Sequence, residues 1–264
     1  MPVDLSALIA DLAAETAALR DLTDPLADAD WRLPTPAPSW TVADQVSHLA
    51  YFDEVAVTAA VDPRRFADIA DQARSGATDA DAIAAQFRGM PPAELQEWFA
   101  TARDRFLEVF SGLDPALRVP WFGPPMSVAS SVTARLMETW AHGQDIADAL
   151  GAVREPTGRL RHVAHIGVGA RAYSYVARGL PVPAEPVRVQ LVGPAGEQWS
   201  WGPAEAENLV SGPALDFCLL VTQRRHRADT AVKASGAVAD DWLGIAQSFA
   251  GPPGMGRAPG QFAS

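Results

Sequence analysis

Two histidines and a glutamate are spaced so that two helices could bring them together. His142 follows Glu138 by four residues and precedes Asp145 by three. At about 100° per residue, these three side chains project within about 40° to 60° of one another on one helix face. Ser131, Ala134 and Ala141 share that stripe, while Val132, Leu136 and Trp140 take the opposite side. A polar stripe bordered by small residues leaves room for a ligand inside a bundle. His48 lies on a separate helical segment, with Asp44 one turn before it and Phe52 one turn after. One imidazole from that helix and Glu-x-x-x-His from another supply three N/O donors. Three protein ligands with an open fourth position are what a catalytic zinc requires. The same donors suit nickel, iron or cobalt. Asp44 and Asp145 are expected to orient the two rings as hydrogen-bond acceptors. Against this stand two ordinary explanations. Glu and His at i, i+4 also form exposed helix pairs worth a few tenths of a kcal/mol, and a lone histidine on an apolar helix commonly packs in a core with one hydrogen bond.

The elements that must position these residues read as helical through the first 150 residues. Leu5, Leu8, Ile9, Leu12 and Leu19 fall on one stripe. The run Leu33-Pro-Thr-Pro-Ala-Pro ends that region, because X-Pro units favour extended chain. Thr41, with Asp44 three residues on, forms a variant capping box opening a second helix over about 42–60 that carries Val42, Val46, Leu49 and Phe52. Residues 62–90 show no clean period and read as an irregular excursion. Pro91-Pro92 opens a third helix bearing Leu95, Phe99, Phe106 and Phe110. A Pro-rich loop over 113–126 leads to a fourth helix over about 127–150, stopped by Gly151. Four such helices make a four-helix bundle.

A fifth helix is expected over about 158–179, and then the period changes. Val187–Val192 and Glu197–Trp201 alternate on either side of Gly193-Pro-Ala-Gly, which is the pattern of a β-hairpin. A helix over about 204–225, a short strand at Thr230–Ala234 and a last helix ending near Phe249 complete the expectation. The fold class is therefore mainly α with an α+β C-terminal part. The division expected is a helical domain over 1–155, then a linking helix and small α+β domain over 156–264.

Composition narrows the partners. The 264 residues are 48% hydrophobic and 20% charged, with a formal net charge of −11. Such a balance repels polyanions, so neither nucleic acid nor an anionic membrane surface is an expected partner. No apolar run approaches the roughly 20 residues that span a bilayer. The opening MPVDLSALIADLAAE carries acids where a signal peptide carries Lys or Arg. A single cysteine, Cys218, forms no internal disulfide and fits a reducing cytoplasm. It also excludes a multi-cysteine zinc or iron–sulfur site. A cytoplasmic monomer or homodimer is the expectation. The chain has no Gly-rich phosphate loop and no Gly-x-Ser-x-Gly elbow.

Two segments carry a family resemblance. Ser39-Trp-Thr-Val-Ala-Asp-Gln-Val-Ser-His-Leu and Arg135-Leu-Met-Glu-Thr-Trp-Ala-His-Gly-Gln-Asp-Ile resemble the two signatures of the mycothiol-dependent maleylpyruvate isomerase-like family, a branch of the DinB-like metal-binding bundles. The resemblance covers the helical domain and extends to the C-terminal part, which in that family is sterol-carrier-like. Val119-Pro-Trp-Phe-Gly-Pro-Pro-Met-Ser and Phe249-Ala-Gly-Pro-Pro-Gly are similar to an actinobacterial metal-binding subgroup of that branch. The resemblance implies that His48, Glu138 and His142 bind one divalent metal, zinc before nickel, iron or cobalt, with mycothiol as cosubstrate. In the resembled isomerase a low-molecular-weight thiol adds to an activated C=C, the bond rotates and the thiol leaves. Related members transfer such thiols. A metal-dependent thiol transferase or isomerase acting on a small carboxylated electrophile is the implied activity. The resembled isomerase holds a carboxylate with an arginine of its C-terminal domain, and Arg224 or Arg225 is the nearest match.

Trp121, Phe122, Met126 and Ser131 stand at the start of the fourth helix or just before it, as candidate wall of the thiol pocket. Ordinary packing at the bundle end explains them as well. Arg224-Arg225-His226-Arg227 is a dense basic run in an acidic chain, equally suited to the negative end of a helix. His162 and His165 lack an evident third ligand and read as surface histidines, and Cys218 lies among Phe217, Leu219 and Leu220 as a buried, inert thiol. Two other activities fit the same donors. One is a hydrolase or lyase-type biosynthetic step using metal-bound water, and the other is a non-catalytic protein that binds a metal or small ligand.

Overall fold

The computed structural model describes residues 4–75 and 79–262. The chain divides into two compact units, Met1–Val153 and Arg154–Ser264. The first unit runs α1 (Leu5–Thr23), α2 (Val42–Val61), α3 (Pro63–Arg74), α4 (Ala80–Phe87), α5 (Pro92–Ser111), a two-strand ladder of β1 (Arg118–Val119) and β2 (Met126–Ser127), and α6 (Val128–Leu150). The four long helices fall where periodicity and capping put them. At the start of α2, Thr41 Oγ1 accepts from Asp44 N–H and the Asp44 carboxylate accepts from Thr41 N–H, a complete capping box. Gly151, at φ 63°, ends α6 in the left-handed conformation that a side chain would resist.

α2 packs on α5 and α6, and α1 on α6. Leu19, Val42, Val46, Leu49, Leu95, Phe99 and Ile146 fill the space between them with Trp31. Residues 62–90 differ from expectation, because α3 and α4 occupy most of that stretch. Their apolar anchors are few: α3 buries Phe66 and Ala70, and α4 buries Ile83 and Ala84. With large apolar side chains so few, and alanines and charged residues filling most other positions, the period is lost by eye. Asp62 and Asp79 cap the two helices, accepting from Arg65 N–H and Ala82 N–H.

The second unit contains α7 (Leu160–Gly169), α8 (Arg171–Val176), β3 (Val187–Val192), β4 (Gln198–Trp201), β5 (Asn208–Pro213), α9 (Ala214–Val221), β6 (Lys233–Ser235) and α10 (Ala237–Ile245). The expected fifth helix is two short helices joined at Ala170. The expected hairpin forms, with Val189 opposite Trp201 and Val192 opposite Gln198. The expected helix over 204–225 forms only as α9, and Asn208–Pro213 before it is strand. β5 lies between β3, to which it is parallel, and β6, to which it is antiparallel, in a sheet of order β4-β3-β5-β6. A short apolar run such as Leu209-Val210 fits either state by period alone, and sheet pairing decides it. α9 then packs on α7, where a Cβ on Gly167 would lie 2.7 Å from Val221 Cγ2. Cys218 is fully buried there, its thiol directed at the Leu160 carbonyl at 3.4 Å.

Candidate metal centre

α2 and α6 bring His48, Glu138 and His142 together. One ligand atom from each lies within 4.8 Å of the other two, and this is the one such group among the described residues. The Glu138 carboxylate is the hub, with its Oε2 3.1 Å from His142 Nε2 and 3.8 Å from His48 Nε2. Two atoms each about 2.0–2.2 Å from a tetrahedral ion lie about 3.4 Å apart, so the observed separations bracket a coordination geometry.

The charges also fit. Burial, and then the neighbouring His142 ring, lowers His48 to about 4, so at neutral pH it offers a free lone pair. Burial pushes the Glu138 carboxyl up, but hydrogen bonds to His142 and His48 outweigh this and hold it well below the usual range. One carboxylate and neutral imidazole are the donors that zinc and its neighbours in the series accept. The donor set therefore fits a divalent metal. His48 and Glu138 retain 14% and 22% of their side-chain exposure, which leaves a face open to a further ligand.

The ring supports differ from those expected. Asp44 does not orient His48. Its carboxylate is taken up by the capping box and by Arg88, whose Nε donates to it at 2.9 Å. Asp145 is fully buried on α6 and already engaged. The partner of His142 is Gln45, whose Oε1 accepts from Nδ1, while its amide NH2 donates to Thr35 Oγ1 at 2.8 Å. His48 is held by packing instead. Its ring centroid lies 4.6 Å from Phe52 and 5.3 Å from Trp40, and its Nδ1 is buried with no hydrogen-bond partner among the described residues. Trp40 also stacks on His142 at 5.9 Å and donates from Nε1 to Asp81 at 2.6 Å.

From His48 an aromatic wall runs outward. Phe52 is 6.4 Å from Trp121 and 6.1 Å from Phe122, and buried Phe66 stacks on Trp121 at 6.1 Å. Trp121 and Phe122 are half-buried. Met126 is half-buried in β2 opposite Val119, and Ser131 lies two turns before Glu138 on α6. Arg224 and Arg225 lie in the second unit just past α9, where Arg224 Nη1 donates to the Thr222 carbonyl and Arg225 sits over the Phe262 ring. His165 is exposed and accepts from Trp201 Nε1 at 3.2 Å.

Residues 12–147, more than half of the chain, match the model of the mycothiol maleylpyruvate isomerase N-terminal domain. The chain belongs to that family. Two other chains similar to it throughout come from Mycobacterium tuberculosis, strains CDC 1551 / Oshkosh and ATCC 25618 / H37Rv. Each is described as an uncharacterized protein and is 48% identical over 255 residues, covering 96% of this chain and 99% of its own. The crystal structure of the mycothiol-dependent maleylpyruvate isomerase superposes with a TM-score of 0.59 at 16% identity, over 88% of this chain and 93% of the isomerase. A histidine-to-alanine mutant of that isomerase gives 0.58 at 17% over the same shares. At that identity the likeness is one of fold. A shorter match, over residues 183–234 of the second unit, is to a model described as wyosine base formation. No helix among the described residues is long and apolar enough to cross a membrane. Within the family signatures, the sequence singles out His48, Glu138 and His142, which α2 and α6 bring together, but not Gln45 and Trp40, which lie against the two histidine rings. Both lie in the quoted Ser39–Leu49 run, and Gln45 is three residues, one helical turn, before His48.

Proposed function

We propose that this member of the mycothiol maleylpyruvate isomerase N-terminal domain family holds one divalent metal, zinc, on His48, Glu138 and His142. With it, the protein activates a low-molecular-weight thiol such as mycothiol for transfer to, or isomerisation of, a small unsaturated electrophile. The observation that carries this proposal is a compact two-imidazole, one-carboxylate group with a face left open beside an aromatic wall. Zinc in such a donor set lowers the pKa of a thiol bound to it, making thiolate available at neutral pH.

The remaining work falls to the chain. Gln45 fixes the His142 tautomer, so that Nε2 faces Glu138. Trp40 and Phe52 set the His48 ring by packing and keep water from that side. Trp121 and Phe122 offer flat apolar surface for the body of the acceptor, with Met126 and Ser131 as further pocket wall. Arg224 and Arg225 supply guanidinium forks for an acceptor carboxylate, a role assigned by family resemblance.

The test is metal content by elemental mass spectrometry on wild type and His142→Ala, followed by thiol titration of the cobalt-substituted protein. Near one zinc per chain in wild type, near none in the variant, and a thiolate-to-cobalt charge-transfer band on titration are expected. Little metal in both proteins would remove the proposal. Metal without a thiol response would turn it towards metal-bound water.

A further inference from the structure

Five residues beyond His48, Asp53 is fully buried, where a carboxylate is costly unless it is paired and hydrogen-bonded. Its Oδ2 accepts from Arg103 Nε at 2.7 Å and its Oδ1 from Arg135 Nε at 2.8 Å. Both arginines are themselves buried, at 1% and 4% exposure. Neither guanidinium ends its contacts at Asp53. Arg135 Nη2 donates to the Leu49 carbonyl at 3.0 Å, Arg103 Nη2 donates to Thr139 Oγ1 at 3.0 Å, and Arg103 Nη1 donates to Thr16.

The network thus grips α2 at Leu49 and Asp53, and α6 at Arg135 and Thr139, from anchors on α5 and α1. These grip points bracket the metal donors. Leu49 follows His48 directly, Thr139 follows Glu138 directly, and Arg135 lies one turn before Glu138. Stability alone is a weak reason for such a cluster, because apolar residues of similar volume often serve as well or better. Apolar packing between helices, however, tolerates repacking and small shifts. A metal site needs its donors held within about 0.5 Å, and charge-assisted forks are directional in a way that methyl groups are not.

We propose that Asp53 is a positioning residue, which through Arg103 and Arg135 holds His48 of α2 at coordinating distance from Glu138 and His142 of α6. This rests on the metal reading above. The experiment uses the full chain as wild type, Asp53→Asn, Arg135→Lys and, as a packing control, Leu95→Ala at a fully apolar α2–α5 contact. Zinc affinity is read by competition with a chromophoric chelator, coordination by the cobalt d–d spectrum, and stability by urea unfolding. Asp53→Asn and Arg135→Lys are expected to weaken zinc by about 10- to 100-fold and to alter the cobalt spectrum. Leu95→Ala is expected to lower the urea midpoint while keeping wild-type affinity and spectrum.

Variants that lose stability as the control does, with zinc affinity and cobalt spectrum unchanged, would overturn the proposal. If Asp53→Asn does not fold, Arg135→Lys decides by the same criterion, since it keeps the charge and loses the fork onto the Leu49 carbonyl. Wild type without zinc affinity would remove the metal reading and this role together. Wild-type binding matched by both variants would remove this role alone.

Discussion

Gln45 on α2 and His142 on α6 share a hydrogen bond that settles which imidazole nitrogen faces the candidate metal position. The Gln45 amide donates to Thr35 Oγ1, and Thr35 in turn donates to the Trp40 carbonyl at 2.9 Å. The remaining Gln45 atom towards His142 is a carbonyl oxygen, which can only accept, so Nδ1 carries the proton and Nε2 turns its lone pair to the Glu138 side. Gln45→Ala is expected to weaken zinc by about 10- to 100-fold with the fold retained. Gln45→Glu accepts the same proton with a full charge and is expected to bind at least as tightly as wild type. Competition titrations on both variants check this, and equal affinity in Gln45→Ala would remove the role.

Asp44 was expected to serve the histidines but serves the helix end. Asp44→Ala removes the carboxylate half of the capping box and the partner of Arg88. A loss of about 1 kcal/mol in urea unfolding is expected, with metal content unchanged. A metal loss comparable to that of His142→Ala would restore the ring-orienting role.

Cys218 tests the interior of the second unit. Burial pushes its thiol up from the ordinary value, so the fold favours the neutral form. That contribution is complete below the unfolded thiol value of about 8.5 and fades as pH rises above it. Native protein at pH 8 is expected to react with iodoacetamide far more slowly than the urea-unfolded chain, and the urea midpoint should fall between pH 8 and pH 10. Native labelling as fast as unfolded labelling would contradict the burial.

Much of this was legible in the sequence because it is local. The Thr41–Asp44 cap, the stop at Gly151 and the i, i+4 placement of Glu138 and His142 each depend on residues within one or two turns. What failed depends on partners distant in sequence. Leu209-Val210 became strand because β3 and β6 flank it, and α3 and α4 hold through a few anchors such as Phe66 and Ile83. The Asp53–Arg103 pair joins residues 50 apart, and nothing in the spacing of either marks it. Gln45 was hidden for another reason. A glutamine is a less obvious ring acceptor than the two aspartates nearby, and those aspartates were already engaged.

If the proposed function holds, Trp121 is the residue at which substrate handling can be tested apart from metal handling. Its ring lies 6.4 Å from that of Phe52, which is 4.6 Å from His48, and it is backed by buried Phe66. Removing it leaves the metal ligands and the Gln45 bond in place but takes away a large flat surface from the open side. Aromatic contacts of this kind contribute about 0.5–1.5 kcal/mol beyond area burial, and 1.4 kcal/mol corresponds to about tenfold in an equilibrium constant. Trp121→Ala is therefore expected to raise the concentration of thiol or acceptor needed for half-saturation about tenfold. Zinc content and the thiol-free cobalt spectrum should stay as in wild type. Because Trp121 is half-buried against Phe52, Phe66 and Phe122, the urea midpoint is expected to fall as well, as it does for Leu95→Ala. If the variant loses metal instead, the aromatic wall is part of the frame that holds His48; if it titrates with thiol and acceptor like wild type, the wall is bundle-end packing and the acceptor lies elsewhere.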